Sequence, residues 1–174
     1  KKEGQFRKPS DVAVTENYIF VLDTDNNRIQ RLDHEGNYTL MWGVYSSQNY
    51  GIRFPFGITA YRDKIYVSDT RNARINIYHL NGTLEHQFGT YGKEEEQFKF
   101  QSKLWIVEDK LYIANTKNNR MDVYTPNGTF LFTFGKKGKE EGQFKMPGAW
   151  RYVPSKTVGI NKTAPVVNAT NSSS

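Results

Sequence analysis

Few residues of this 174-residue sequence have the types and spacing that catalysis or metal binding requires. Cysteine is absent, so the chain has no thiol chemistry and no disulfide bonds. The three histidines, His34, His79 and His86, fall on turns and an outer strand of predicted repeats, too far apart to form one ligand set. The sequence also lacks a Ser–His–Asp pattern and a phosphate-binding loop between a strand and a helix. It therefore predicts no catalytic, cofactor-binding or metal site.

Charged residues that recur at a fixed spacing predict a structural role instead. An Asp or Asn at the end of one strand stands five residues before an Arg at the start of the next. Because such a side chain can accept hydrogen bonds from the loop and face the arginine, we interpret it as a turn staple and not as a catalytic carboxylate. The staple pairs are Asp23 with Arg28, Asp69 with Arg74, and Asn115 with Arg120. The asparagine of the third pair is expected to keep the hydrogen bonds and to lose the ion pair.

Six Asn-x-Ser/Thr sequences form the other candidate sites, as acceptors for N-linked glycans. Six is more than the Ser and Thr content would produce by chance. Two of them read Asn-Gly-Thr, which a tight hairpin also favours, whereas the others meet no such turn requirement. The acceptor residues are Asn37, Asn81, Asn127, Asn161, Asn168 and Asn171. Glycans there would lie on the outer edges of the fold or in a tail, and they predict an extracellular or cell-surface location.

The elements that carry these residues repeat every 46 residues without an insertion. The glycine that ends each Trp-Gly or Phe-Gly pair recurs at Gly43, Gly89 and Gly135. Turn glycines keep the same spacing at Gly36, Gly82 and Gly128. A register held at so many positions identifies a tandem array.

Each repeat contains four short β-prone runs separated by polar turns. In the second repeat the runs read GITA, KIYVSD, INIYHL and LEHQFG, and we place the first of them innermost. Strands of this length, joined as a meander by hairpin turns, predict one antiparallel four-stranded sheet per repeat. Four such strands in a period of about 40–50 residues are the signature of a β-propeller blade. The sequence thus predicts an all-β propeller.

Four stretches of the chain read GQF..P..VAV, YIFVLDTDNNRIQRLD, YVSDTRNARINIY and YIANTKNNRMDVY. With the turn glycine and the aromatic-glycine pair that follow, they resemble the NHL repeat family. The resemblance extends over about residues 1–160, and it implies a propeller that usually closes with six blades. Propellers host many unrelated activities, so the resemblance is specific for the fold and weak for function.

The repeat also sets the expected boundaries. We place blades at about 1–46, 47–92 and 93–138, a partial blade at 139–160, and an Asn/Thr/Ser-rich tail or linker at 161–174. Residues 1–6 match the linker at 139–144, so we expect at least one blade before residue 1. The three full blades and the partial fourth would then be part of a six-bladed ring. Closure with four blades, completed by the N-terminal or a neighbouring chain, is the alternative.

The composition restricts the classes of partner that this chain can bind, but it does not identify a partner. The formal net charge is +6, which permits an anionic partner but does not demand one. No apolar run of about 18 residues is present, so this segment is not expected to insert into a membrane. Apolar linker residues are expected to pack between neighbouring blades, namely Phe6, Ile52, Phe98 and Phe144.

We expect an extracellular, N-glycosylated structural or interaction module, not an enzyme. Its rigid surface would be presented to a protein, a glycan or copies of itself, with a surface layer or fibre as a special case. A second interpretation follows from the resemblance, because some intracellular NHL domains bind single-stranded RNA on a basic face. The candidate RNA-binding arginines are Arg28, Arg31, Arg71, Arg74 and Arg120. A third, a zinc-dependent enzyme like the amidating lyases, would need histidines near the propeller axis, and no predicted innermost strand carries one.

Overall fold

The computed structural model describes residues 2–148, and it contains three antiparallel four-stranded sheets. The first sheet is formed by β1 (Pro9–Val14), β2 (Ile19–Asp23), β3 (Arg28–Leu32) and β4 (Tyr38–Trp42). The second is formed by β5 (Gly57–Tyr61), β6 (Lys64–Asp69), β7 (Arg74–His79) and β8 (Leu84–Phe88). Short strands in the linker follow, β9 (Thr90–Tyr91) and β10 (Gln97–Phe98). The third sheet is formed by β11 (Gln101–Val107), β12 (Lys110–Asn115), β13 (Arg120–Tyr124) and β14 (Phe130–Phe134), and a last linker pair by β15 (Lys136–Lys137) and β16 (Gln143–Phe144).

Each sheet is a meander in which neighbours in sequence are neighbours in space. Its second and third strands are connected by a one-turn 3₁₀ helix, at Thr24–Asn26, Thr70–Asn72 or Thr116–Asn118. Its third and fourth strands are connected by a tight turn whose glycine has a positive φ, as at Gly82 with φ of 84°. The prediction of an all-β fold built from antiparallel four-stranded sheets is confirmed. The blade boundaries, the fourth blade and the closure of a ring stay predictions, and residues 149–174 lie outside the described range.

The first strands of the three sheets lie side by side, β1 against β5 and β5 against β11. The first strand of each repeat is therefore innermost, as the sequence predicts. It does not carry most of the core, however. Val12 and Val14 of β1 are 53% and 59% exposed, whereas Leu22 of β2 and Ile29 of β3 are fully buried. Burial is concentrated on the two middle strands, and in the described residues the second sheet packs against the first on one face and the third on the other.

The repeated aromatic-glycine pair has a direct steric cause. Each of these glycines has a positive φ, and a Cβ at Gly89 or Gly135 would overlap the ring of Phe98 or Phe144. Those rings come from the linker that follows, and they are 0% and 7% exposed. Ile52 is the equivalent residue of the preceding linker and is also fully buried. Ile52 and Phe98 pack between two sheets, as the sequence predicts. Phe144 is buried against the third sheet, and its packing against a further blade stays a prediction. Phe6 is 39% exposed.

Candidate interaction face

Two buried carboxylates organise the end of the fold where the 3₁₀ helices lie. Asp23 accepts a hydrogen bond from Arg28 Nε at 2.8 Å, and Asp69 accepts one from Arg74 Nε at 2.9 Å. Both carboxylates are 0% exposed. Each also accepts a 2.6 Å hydrogen bond from a backbone N–H of the residue that stands 16 positions earlier, Arg7 or Arg53. Burial raises the pKa of the Asp69 carboxyl, while these hydrogen bonds and the charge of Arg74 oppose the shift.

The third repeat keeps the ion pair but moves the carboxylate to the neighbouring strand. Arg120 Nε donates to Asp122 Oδ1 at 2.7 Å, and Asn115 Nδ2 donates to Asp122 Oδ2 at 2.6 Å. Asn115 therefore forms hydrogen bonds and no ion pair, and Arg120 pairs with Asp122, a contact that the sequence did not predict. In the first two repeats the position of Asp122 is held by the amides Gln30 and Asn76, so acid and amide have exchanged places. An Asp at an otherwise amide position was the sequence signal for this exchange.

The arginines of the three ion pairs form the inner guanidinium set, Arg28, Arg74 and Arg120. Their remaining donors bind backbone carbonyls of the linker that precedes each sheet. Arg74 Nη2 donates to the carbonyls of Gln48 at 2.9 Å and Gly51 at 2.7 Å. Arg28 binds Lys2 and Gln5, and Arg120 binds Lys93, Glu94 and Gln97, in the same manner. These guanidinium groups hold the linkers in place, so they are not available to a ligand.

A second group of cations lies at the same end of the fold, farther out. Arg71 lies over the ring of Phe54 at 5.1 Å, and Lys117 lies over the ring of Phe100 at 5.3 Å. Both cations are exposed and the two rings are half-buried. A cation held over an aromatic face gains from the ring quadrupole without losing its exposure to solvent. We call this surface the cation–aromatic face; its residues are Arg7, Lys8, Asp25, Arg53, Phe54, Arg71, Lys99, Phe100, Lys117, Lys145 and Met146.

The backbone that carries this face adopts an unusual conformation. Phe54 has φ of 49° and Phe100 has φ of 58°, in the left-handed region that residues other than glycine rarely adopt. Phe54 N donates to Asn27 Oδ1 at 2.8 Å, which connects the second repeat to the loop of the first. Arg71 N then donates to the Arg53 carbonyl at 3.0 Å. Lys8 and Met146 adopt the same conformation at the equivalent positions, so it belongs to the repeat, and these hydrogen bonds fix the backbone from which the cations extend.

The first repeat differs from the other two on this face. Asp25 replaces the cation of the 3₁₀ helix, and it lies 3.6 Å from Arg7 and 3.5 Å from Lys8. Lys8 also stands where the other repeats have a phenylalanine. Two cations are therefore partly neutralised in the first repeat, whereas the described residues place no carboxylate within ion-pair distance of Arg71 or Lys117.

The opposite end of the fold carries the acceptor asparagines of the described range. Asn37, Asn81 and Asn127 lie in or just after the turns between third and fourth strands, and all are exposed. Asn81 Oδ1 accepts a hydrogen bond from Thr83 N at 3.0 Å. Asn37 differs, because its Nδ2 donates to Asp33 Oδ2 at 2.9 Å; the hydrogen bonds from Asn37 lower the pKa of the Asp33 carboxyl. The other three acceptors, Asn161, Asn168 and Asn171, lie outside the described residues.

The histidines and the remaining candidate arginine also lie away from the cation–aromatic face. His34 Nε2 is 3.1 Å from the Thr15 carbonyl, His79 is 3.6 Å from Glu85, and His86 stacks on Phe88. Arg31 binds the Leu80 carbonyl at 3.1 Å. In residues 2–148 no group of three or more His, Cys, Asp or Glu side chains could hold a metal ion, and no helix is long and apolar enough to cross a membrane. Only Arg71, of the five predicted RNA-binding arginines, belongs to the cation–aromatic face.

A shallow groove of about 300 Å³ lies between the inner strands. Its charged side chains are Asp11 and Lys103, which come from the first and third sheets. They bind each other across β5 at 3.1 Å, and Lys103 also donates to the Ser10 carbonyl at 3.0 Å. The groove therefore presents a neutralised ion pair and no convergent polar groups for a ligand.

Comparison with known proteins agrees with this geometry. Residues 6–32 match the model of the NHL repeat. The chain is 39% identical to Protein brain tumor of Drosophila melanogaster over 61 residues, which are 34% of this chain and 6% of that protein. The chain thus spans a small part of the length of this relative. It is a repeat protein of the β-propeller class that carries an NHL repeat.

Solved structures with the same fold are more distant in sequence. Hydrazine synthase of Kuenenia stuttgartiensis superposes with a TM-score of 0.66 at 11% identity, covering 88% of this chain and 41% of that one. A catalytically inactive virginiamycin B lyase of Staphylococcus aureus has a TM-score of 0.54 at 17% identity, covering 74% and 42%. Glutaminyl cyclase of Myxococcus xanthus has a TM-score of 0.52 at 12% identity, covering 70% and 50%. Identities this low show a shared propeller fold and nothing about activity.

Proposed function

We propose that this chain is an extracellular, N-glycosylated interaction module that binds a partner through its cation–aromatic face. The observation that carries the proposal is the separation of two kinds of surface. The acceptor asparagines Asn37, Asn81 and Asn127 lie at one end of the sheets, and the exposed cations lie at the other. Glycans at one end would leave the other end open, so both features can serve one molecule.

A non-enzymatic role fits the same arrangement. The buried carboxylates Asp23 and Asp69 are fully engaged by the inner guanidinium set and by backbone donors. The groove between the inner strands holds a paired Asp11 and Lys103. None of these carboxylates is placed to accept a proton from a substrate, because each already accepts hydrogen bonds from structural partners.

The partner class is supported by the rigidity of the surface. Sheets that pack through buried linker residues move little relative to one another, and a rigid scaffold loses little entropy when it binds. NHL repeats are found in modules that bind proteins or RNA. We propose a protein or glycan partner, with copies of this chain as one form of protein partner.

RNA is the second candidate, and the cation–aromatic face is the observation that favours it. Seven cations and one carboxylate lie at its positions, which would attract phosphate. The aromatic rings argue in the other direction. Phe54 and Phe100 are half-buried and each already has a cation over one face, which leaves less of each ring open to a stacked base.

Intact mass spectrometry of the natural chain tests the proposed function, before and after enzymatic removal of N-glycans. The expected result is a mass above the 20.1 kDa of the sequence that falls on deglycosylation. Peptide mapping should then locate glycans on Asn81 or Asn127, whose Nδ2 atoms are free of hydrogen bonds to described residues. A mass that deglycosylation leaves unchanged would contradict the extracellular proposal and favour the RNA candidate.

A further inference from the structure

The cation–aromatic face repeats a charge pattern along successive blades. A basic residue precedes the first strand of each of the three sheets, at Arg7, Arg53 and Lys99, and Lys145 continues the spacing of 46 residues. The first strands of the three sheets lie side by side, so these positions follow one another along a curved row. A second row is formed by the 3₁₀ helices, which carry Arg71 and Lys117 in the second and third repeats.

Repeated charges of one sign match a ligand that itself repeats. A compact acidic protein would meet one or two of these positions, whereas a linear polyanion can meet several at regular intervals. Arg53 resembles Arg71 and Lys117, because its guanidinium also lies over an aromatic ring, that of Tyr45 at 5.3 Å.

The two phenylalanine rings of this face lie beneath cations and support them. The Phe100 ring packs near the Phe56 ring at 6.1 Å as well as beneath Lys117. Phe54 lies beneath Arg71. The rings therefore position the cations.

The groups on a ligand that these cations would bind are sulfate, carboxylate or phosphate. Base stacking contributes about 1–3 kcal/mol per base to single-stranded nucleic acid binding, and Tyr45, which lies beneath Arg53 at 5.3 Å and is 65% exposed, is a ring near this row that a base could reach. The competition with RNA described below therefore separates the two kinds of ligand.

We propose that the cation–aromatic face binds a sulfated or carboxylated polysaccharide, with Arg71 and Lys117 among the main contacts. The choice of polysaccharide over nucleic acid rests on the proposed extracellular function. Asp25 makes the first repeat a weaker part of the site, because it neutralises Arg7 and Lys8.

Heparin binding to the full chain tests this proposal, by titration calorimetry at about 0.1 M salt. The test variant is Arg71→Gln with Lys117→Gln, and the matched control is Arg62→Gln with Lys64→Gln at the opposite end. Arg62 and Lys64 are already paired with Asp109 and Glu85, so the control removes the same formal charge from the other face. We expect the test variant to bind heparin about tenfold more weakly and the control to change less than about twofold.

Competition with polyuridylate RNA separates the alternatives. The proposal is overturned if the RNA displaces heparin at an equal concentration of charges, or if both double variants weaken heparin binding equally. Absence of heparin binding overturns it as well. If the chain does not bind heparin but the natural chain carries glycans, the polysaccharide proposal is wrong and the proposed extracellular function is not affected. RNA binding together with an absence of glycans would overturn both.

Discussion

The inner guanidinium set and the cation–aromatic face come from the same loops but use their positive charges differently. Arg74 is 12% exposed in its side chain and binds one carboxylate and two linker carbonyls. Arg71, three residues earlier, is exposed and lies over a phenylalanine ring. A buried arginine that is hydrogen-bonded to an acceptor stabilises the fold. An exposed arginine that lies over a ring can still bind a ligand through its charge. Residue type alone does not distinguish the two.

The strongest test of this contrast replaces one arginine from each group. Arg74→Gln should destabilise the fold by about 3–5 kcal/mol, because it leaves Asp69 buried without its cation. Arg71→Gln should change the free energy of unfolding by less than about 1 kcal/mol, since it removes only an exposed cation–π contact. Urea denaturation followed by tryptophan fluorescence measures both. Equal losses in the two variants would remove the distinction between the groups.

The exchange of acid and amide in the third repeat gives the next largest effect. Asn115→Asp would place a second buried carboxylate beside Asp122, where the present amide donates at 2.6 Å. We expect a loss of about 2–4 kcal/mol from like-charge contact and burial.

The double variant Asn115→Asp with Asp122→Asn provides the control. It recreates the arrangement of Asp69 and Asn76 in the second repeat, so most of the lost stability should return. A double variant no more stable than Asn115→Asp alone would show that the two arrangements are not equivalent. Urea midpoints of the single and double variants, measured together, decide this.

A smaller effect is expected from Asp25, the carboxylate of the cation–aromatic face. Asp25→Asn should release Arg7 and Lys8 and raise the affinity for heparin about threefold. Asp63→Asn, in an exposed turn at the opposite end, changes the net charge equally and should have little effect. Titration calorimetry of both variants compares them directly. An equal gain from Asp63→Asn would indicate attraction by net charge instead of binding at a face.

The 46-residue register explains why so much of the fold could be predicted from the sequence. Strands, turns and the Asp69–Arg74 pair recur with recognisable residue types, and glycines with positive φ identify the turns. Steric demands of this kind tolerate few alternatives, so they leave a clear signal. The fully buried Phe98 and the glycine beneath it are an example, because the ring occupies the space that a Cβ would need.

The cation–aromatic face could not be predicted in the same way. Its positions change type between repeats, as Asp25, Arg71 and Lys117 do, so periodicity alone does not reveal them. The backbone at Phe54 is left-handed although the residue is not a glycine, so the sequence contains no signal for this conformation. The arginines that do recur are the ones that the fold buries, and residue type alone does not indicate that burial. Side-chain contacts within a repeat, such as Arg71 over Phe54 and Lys117 over Phe100, define this face, and residue types alone do not predict them.

The salt dependence of heparin binding tests the central claim most directly. The logarithm of the association constant should fall linearly with the logarithm of salt concentration, with a slope set by the number of cations in contact. We predict that replacing both Arg71 and Lys117 by Gln lowers the magnitude of this slope by about two, while leaving the urea midpoint nearly unchanged. A slope that stays the same in this variant would show that the exposed cations do not contact the ligand, and would contradict the division between architecture and binding.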